Sequence, residues 1–125
     1  MDNFKNKYIA VVGVSAEPEK YGHKIFRDLL DSGYNVVGIN LKGGEILGQK
    51  IYPQLKDLPI VSDLVIIVVP PAATAKIVDE CHELGVKNIW MQPGTESDEV
   101  INKAKSYGMN VTARACFMKR NGIWK

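Results

Sequence analysis

The residues of this chain that are best suited to binding an anion follow its first apolar run, Tyr8–Val12. They are Gly13, Ser15, Lys20 and Gly22, in the spacing GxSxxxxKxG. Backbone N–H groups at the start of a helix point at a bound anion, and the helix dipole favours negative charge there. The serine hydroxyl could donate to a phosphate oxygen, and the lysine could add charge or cap the loop. The pattern predicts a phosphate-binding loop; a plain strand-to-helix turn is the alternative.

The chemistry of the ligand is indicated by the end of the second apolar segment, Asn35–Ile39. The first loop is not the dinucleotide fingerprint GxGxxG, because Ser15 replaces the second glycine and Gly22 comes too late. A NAD site usually has a carboxylate after its second strand, whereas this chain has Asn40 and Lys42. A lysine there suits a ligand with an extra phosphate on its ribose, such as coenzyme A or NADP. A solvated loop lysine is the alternative.

Two further loops follow apolar segments and hold candidate contacts. Val69, Pro70 and Pro71 could form an apolar surface for an adenine ring, or could simply end a strand. The turn at Gln92 and Gly94 lies at a corresponding place, with Gln92 expected to be free to hydrogen-bond a polar group. A purely structural turn is the alternative there.

The elements that would position these loops alternate along the chain. Helical patterns end near Gly33, run over Ala72–Leu84, and run from an N-cap at Ser97 to Tyr107. We expect Ile46–Tyr52 to be irregular and the tail after the last strand to lack a regular period. Strands are predicted at Tyr8–Val12, Asn35–Ile39, Asp63–Val69, Lys87–Met91 and Asn110–Ala113.

This alternation predicts a single doubly wound, Rossmann-like α/β domain with a parallel five-stranded sheet and helices on both faces. The continuous hydrophobicity of the third strand supports burial on both faces of the sheet. Ligands of such sheets bind beyond the carboxyl ends of the strands, where the strand order reverses. The four candidate loops all lie at that edge.

Length and charge exclude several classes of protein. The chain has 125 residues and a net charge of +2, so we expect one domain over residues 1–125 and no general nucleic-acid binding. No apolar run approaches the roughly 20 residues of a membrane span, and the first ten residues lack the pattern of a signal peptide. A cytoplasmic protein without a membrane partner is expected, and a homodimer is left open.

The thiols and imidazoles do not form an obvious active site. Cys81 lies on the apolar face of a predicted helix and is expected in the core. Cys116 has basic residues nearby, which could activate an exposed thiol, but a structural role is favoured. His23 lies at the start of the first helix without a nucleophile or a second base beside it. We find no catalytic set and no metal-ligand spacing.

The chain resembles the CoA-binding domain family, small Rossmann-like proteins similar to the N-terminal domain of the succinyl-CoA synthetase alpha subunit. The resemblance extends from about Tyr8 to Cys116 and rests on VVGVSAEPEKYGHKIFRDLLDSGYNVVGIN, GGEILGQKIYPQLKDLP, DLVIIVVPP and ELGVKNIWMQPG. It implies coenzyme A held at its diphosphate by residues 13–22, with residues 40–42 beside the ribose and its phosphate, and residues 69–71 near adenine.

Two departures from the family limit what the resemblance implies. Relatives commonly have proline where this chain has Leu41, which changes the loop around Lys42. The synthetase's second domain, with its phosphorylated histidine, has no counterpart here. The resemblance therefore implies binding rather than ligase catalysis.

We therefore expect noncatalytic binding of coenzyme A or an acyl-CoA. Alternatives are an NADP-binding oxidoreductase or redox sensor, the CoA-binding subunit of a multi-chain acyl-CoA ligase, and thiol protection through a mixed disulfide between Cys116 and CoA. The expected cofactor contacts are Gly13, Val14, Ser15, Lys20, Gly22, Asn40, Lys42, Val69, Pro70, Pro71, Gln92 and Gly94.

Overall fold

The first apolar run forms the middle of a parallel sheet in the computed structural model, which describes residues 4–125. This run is strand β1, and its four residues Ile9–Val12 are buried, as expected for a strand covered on both faces. It pairs in parallel with strand β2 (Asn35–Ile39) on one side and strand β5 (Leu64–Ile67) on the other. The strands are β1 (Tyr8–Val12), β2 (Asn35–Ile39), β3 (Glu45–Ile46), β4 (Gln49–Tyr52), β5 (Leu64–Ile67), β6 (Asn88–Met91) and β7 (Asn110–Thr112).

The helices connect these strands at the expected places. Gly85 ends helix α2 (Pro71–Leu84) in the left-handed conformation. The Ser97 hydroxyl caps helix α3 (Asp98–Ser106) by accepting from the N–H of Val100. A 3-10 turn forms at Leu55–Asp57. The α-helices are α1 (Tyr21–Asp31), α2 (Pro71–Leu84), α3 (Asp98–Ser106) and α4 (Phe117–Arg120).

The doubly wound α/β prediction is confirmed, but the predicted number of strands was wrong. The described sheet has seven strands in the order β3-β4-β2-β1-β5-β6-β7. The two additional strands lie in the segment expected to be irregular: β4 pairs in parallel with β2, and β3 pairs antiparallel with β4. Leu47 and Gly48 both have positive φ and join these strands in a two-residue hairpin. Strands of two and four residues are too short to show a period in the sequence.

The strand order reverses between β1 and β5. The chain moves from β1 outward to β2 on one side, and from β5 outward through β6 to β7 on the other. The carboxyl ends of these parallel strands share one edge, which therefore carries the loops after β1, β2, β5, β6 and β7.

Two apolar layers cover the sheet. The layer under α2 and α3 contains Val78, Cys81 and Ile101, so the expected core position of Cys81 is confirmed. The layer under α1 and α4 contains Phe26 and Phe117.

The tail expected to be irregular is packed into this second layer. Phe117 is fully buried, with its ring 5.0 Å from that of Trp90 and 5.9 Å from that of Tyr34. Among residues 4–125, no helix is long and apolar enough to cross a membrane.

Candidate functional site

The start of α1, the end of β1 and the loop after β5 meet without room for side chains. A Cβ atom added to Gly22 would lie 2.1 Å from the carbonyl oxygen of Gly13. A Cβ atom added to Gly13, which has φ of 109°, would lie 2.7 Å from the carbonyl oxygen of Val68. The two glycines thus allow three backbone segments to converge at the place where strand order reverses.

The N-terminus of α1 lies at this point. Lys20 occupies the N-cap position, but no side chain caps the helix, and its first turn contains no acidic residue. The Lys20 ammonium is exposed, 4.0 Å from the Glu17 carboxylate. The expected charge is therefore present, whereas capping by the Lys20 side chain is not observed.

Ser15 and His23 hold the shape of the loop. The Ser15 hydroxyl oxygen accepts from the N–H of Glu17 at 3.1 Å, which leaves its own hydrogen available to a ligand. The buried His23 ring donates through Nδ1 to the Ser15 carbonyl oxygen at 2.8 Å. His23 therefore stabilises the loop from within the protein. Its Nδ1 atom is used in this hydrogen bond and is not available to a ligand.

Asn40 joins the loops after β1 and β2. Its Nδ2 donates to the Val14 carbonyl oxygen at 2.6 Å, and its Oδ1 accepts from the N–H of Lys42 at 2.8 Å. Both ends of the amide are occupied, so Asn40 positions the two loops. The Lys42 side chain is exposed, and Leu41 beside it is 83% exposed.

The double proline both ends a strand and begins a helix. Pro70 is the N-cap of α2 and Pro71 its first residue, a position that tolerates proline because the N–H would be unpaired there. Both prolines are exposed, and Val69 is half-buried. The buried Thr74 hydroxyl donates to the Thr95 carbonyl oxygen at 2.8 Å and so links this loop to the one after β6.

Gln92 is not free, contrary to the expectation from the sequence. It is fully buried, and its Oε1 accepts from the N–H of Phe117 at 2.7 Å. Its Nε2 donates to the Tyr21 hydroxyl oxygen at 2.9 Å and lies 3.5 Å from the Cys116 sulfur. Gly94, in the same loop, is exposed and donates its N–H to Glu96.

The grouping of Tyr21, Gln92 and Cys116 was not predicted from the sequence. These residues are far apart in the chain, and only the return of the tail across the sheet brings them together. The one available signal was the placement of a polar Gln directly after an apolar strand. At such a place a buried amide must find partners within the protein.

Two surface cavities lie away from this edge. One of about 130 Å³ is lined by the segment 55–62 with Leu84 and Val86, and one of about 140 Å³ lies between Phe4, Trp90 and Arg120. None of the expected cofactor contacts lines either cavity. Residues 4–125 also contain no group of three His, Cys, Asp or Glu side chains able to hold a metal.

Comparison with known proteins matches this chain to one family. The family described as "CoA binding domain" matches residues 7–122. The alpha subunit of the ADP-forming acetate–CoA ligase II from Pyrococcus furiosus is 32% identical to this chain, and the match covers 90% of this chain and 27% of the relative. The chain therefore spans about a quarter of the length of such curated relatives.

Solved structures of a protein of similar length and of a much longer protein are similar to this chain. A conserved hypothetical protein from Pyrococcus furiosus has a TM-score of 0.87 and 37% identity, with 91% of this chain and 98% of that chain covered. The dinucleotide-forming acetyl-coenzyme A synthetase 1 from Ca. Korarchaeum cryptofilum, in its apo form, has a TM-score of 0.75 and 35% identity, over 86% of this chain and 26% of that chain. The chain belongs to the CoA-binding domain family.

Proposed function

We propose that the chain, as one domain over residues 1–125, binds coenzyme A or an acyl-CoA without catalysing a reaction on it. The observation that carries the proposal is the uncapped start of α1 at the point where strand order reverses, where Gly22 packs closely against the Gly13 carbonyl. Family membership supports coenzyme A as the ligand. The diphosphate would accept hydrogen bonds from backbone N–H groups there and from the Ser15 hydroxyl.

Lys42 would distinguish coenzyme A from ligands without a phosphate on the ribose. Its ammonium is exposed after β2, in the loop that Asn40 ties to Val14. Residues 40–44, which follow β2, contain no carboxylate that would repel that phosphate or accept from free ribose hydroxyls. One exposed charge pair contributes about 1 kcal/mol, which is about fivefold in affinity.

Calorimetric titration of the full chain with CoA, dephospho-CoA, NAD and NADP tests this function. We expect CoA to bind tightest and dephospho-CoA about fivefold more weakly. The Lys42→Ala variant should lose about that factor for CoA and should bind dephospho-CoA as the parent does. Lys87→Ala, which removes an exposed lysine at the opposite edge of the sheet, is the matched control and should change neither. Tighter binding of NAD or NADP would overturn the choice of ligand.

A second candidate function is that of a CoA-binding subunit in a larger acyl-CoA ligase. It is favoured by relatives named as alpha subunits, of which this chain covers about a quarter. Against it, the chain covers 90% of the Bacillus subtilis protein YneT, at 26% identity, so relatives of this size also occur. Pulldown with the tagged chain discriminates the two: recovery of a partner with an ATP-grasp or phosphohistidine domain would favour the ligase subunit.

A further inference from the structure

A cavity of about 130 Å³ lies between the segment that precedes β5 and the end of α2. Its wall is formed by residues 55, 56 and 58–62 together with Leu84 and Val86. Leu84 is the last residue of α2, and Val86 and Ser62 lie just before β6 and β5. The cavity therefore lies near the amino-terminal ends of these strands, at the edge of the sheet opposite the proposed cofactor site.

The wall of this cavity contains a buried hydroxyl that has no partner. Ser62 is 5% exposed, and its hydroxyl forms no hydrogen bond within residues 4–125. Every other buried side-chain nitrogen or oxygen in that part of the chain has a partner. Because a hydroxyl removed from water without a partner is costly, such a group calls for an explanation. Its hydrogen is available to an acceptor that enters the cavity.

The rest of the wall is suited to an apolar group. Leu55 and Val86 are buried, and Leu84 is half-buried. An apolar protein cavity of about 150 Å³ can bind benzene, so this cavity has room for an apolar group of about five or six carbons. Ile60 and Val61 also line it and are 60% and 54% exposed, and a ligand would cover part of that apolar surface.

The charge of the wall is complementary to an anion. Lys56 is the only charged residue that lines the cavity. Its ammonium takes part in none of the ion pairs found among the described residues. Glu80 accepts from the Lys56 backbone N–H at 3.4 Å, but it does not line the cavity. A carboxylate can accept both from an ammonium and from a serine hydroxyl, and such charge-assisted hydrogen bonds are strong.

We propose that this cavity is a second binding site, for a small organic anion that combines a carboxylate with an apolar body of about five or six carbons. The apolar body lies against Leu55, Leu84 and Val86, and the carboxylate accepts from the Ser62 hydroxyl and the Lys56 ammonium. Binding is noncovalent. The site shares no residue with the expected cofactor contacts, so this inference does not depend on the proposed function.

Titration of the ¹⁵N-labelled full chain with hexanoate, followed by NMR, tests the site. We expect saturable shifts of the backbone amides of residues 60–62 and 84–86, with a Kd on the order of 1 mM for so small a ligand. 1-Hexanol keeps the apolar chain and lacks the charge, so it should bind about fivefold more weakly. Acetate should bind on the order of a hundredfold more weakly, because it lacks the chain that would be buried.

Two variants test the polar contacts. Ser62→Ala should weaken hexanoate binding about tenfold, and it should not lower the urea midpoint, because the hydroxyl that it removes is unpaired. Lys56→Met keeps an apolar stem and should weaken hexanoate binding about fivefold without changing the binding of 1-hexanol. Lys76→Met removes an exposed lysine of α2 outside the cavity wall. It is the matched control and should bind hexanoate as the parent does.

Several results would overturn this proposal. They are the absence of saturable shifts, shifts confined to the loops after β1 and β2, and equal binding of hexanoate by Ser62→Ala and the parent chain. The last result would leave the cavity to water. Shifts of the same amides that grow with chain concentration, without hexanoate, would assign Ile60 and Val61 to a contact between copies of this chain and would overturn the proposal too.

Discussion

Gly22 allows close packing of the backbone in the proposed phosphate loop because it has no side chain. Its α-carbon lies against the Gly13 carbonyl, which belongs to the backbone and cannot rotate away. The Gly22→Ala change should therefore destabilise the fold by about 2–3 kcal/mol, since either α1 or the end of β1 must move. Urea unfolding of the parent and the variant measures this loss.

Gly38→Ala is the matched comparison for that prediction. The nearest atom to an added Cβ there is Ile51 Cδ1, at 2.7 Å, which is the far end of a flexible side chain. We expect a smaller loss, about 1 kcal/mol, because the side chain can adopt another rotamer. A larger loss at Gly38 than at Gly22 would refute the close backbone packing described here.

Asn40 and Gln92 show why residue-level interpretation of amides is difficult. Both were expected to contact a cofactor, yet both amides are hydrogen-bonded within the protein, to Val14 and Phe117 among others. An amide has two donor hydrogens and an acceptor oxygen, so it can hydrogen-bond to a protein loop as readily as to a ligand. Its partners depend on chain segments that are distant in sequence, so its role follows only from the fold.

The C-terminal segment is the element that the sequence described least well. It has no period, because it makes only the short helix α4 and is held by individual contacts. Phe117 fills the layer under α1, the Trp90 indole donates to the Ala115 carbonyl oxygen, and the Trp124 indole donates to the Asp28 carboxylate at 2.7 Å. These contacts also carry Cys116 to the start of α1.

The contact of α1 with this segment should make the free energy of unfolding depend on pH in the acidic range. The Arg27 guanidinium, aided by Trp124, holds the pKa of Asp28 below its usual value of 3.8, although partial burial opposes this. A carboxylate with a lowered folded-state pKa adds stability above the unfolded-state pKa, and that stability is lost as pH falls through the folded-state value. We expect Asp28→Asn to lower the urea midpoint at neutral pH and to flatten its dependence below about pH 4.

Asp31→Asn is the control for the acid prediction, because it removes the same charge from an exposed position on the same helix. It should leave the slope of the urea midpoint against pH close to that of the parent. An equal flattening in both variants would show that net charge, and not the anchored carboxylate, sets the acid dependence.

At the scale of the whole molecule, the cofactor should stabilise the fold, because it would bridge loops from several strands. A ligand present at 100 times its Kd adds about 2.7 kcal/mol, which for a domain of this size raises Tm by about 10 °C. We expect this shift with CoA in a thermal unfolding experiment. Pantetheine, which lacks the diphosphate, should leave Tm nearly unchanged; an equal shift with pantetheine would contradict binding through the phosphate loop.

The sequence alone determined the parts of the protein that depend on local periodicity. Apolar runs followed by glycine or proline predicted β1, β2, β5, β6 and β7, and their alternation with helices predicted the parallel sheet and the edge carrying the candidate loops. These predictions succeed because hydrophobic patterning and turn residues act over a few neighbouring positions. The short hairpin β3–β4 was missed because two or four residues carry too little pattern.

Only the tertiary structure decided which polar groups face solvent and which face each other. The path of the tail across the sheet brings Tyr21, Gln92 and Cys116 to one sulfur atom, although 71 positions separate the first two and 24 the last two. No local propensity encodes such a meeting, because it follows from burying Phe117 against Trp90 and from satisfying a buried amide. The sequence predicted a phosphate-binding loop before α1, and packing decided that a thiol lies beside the first residue of that helix.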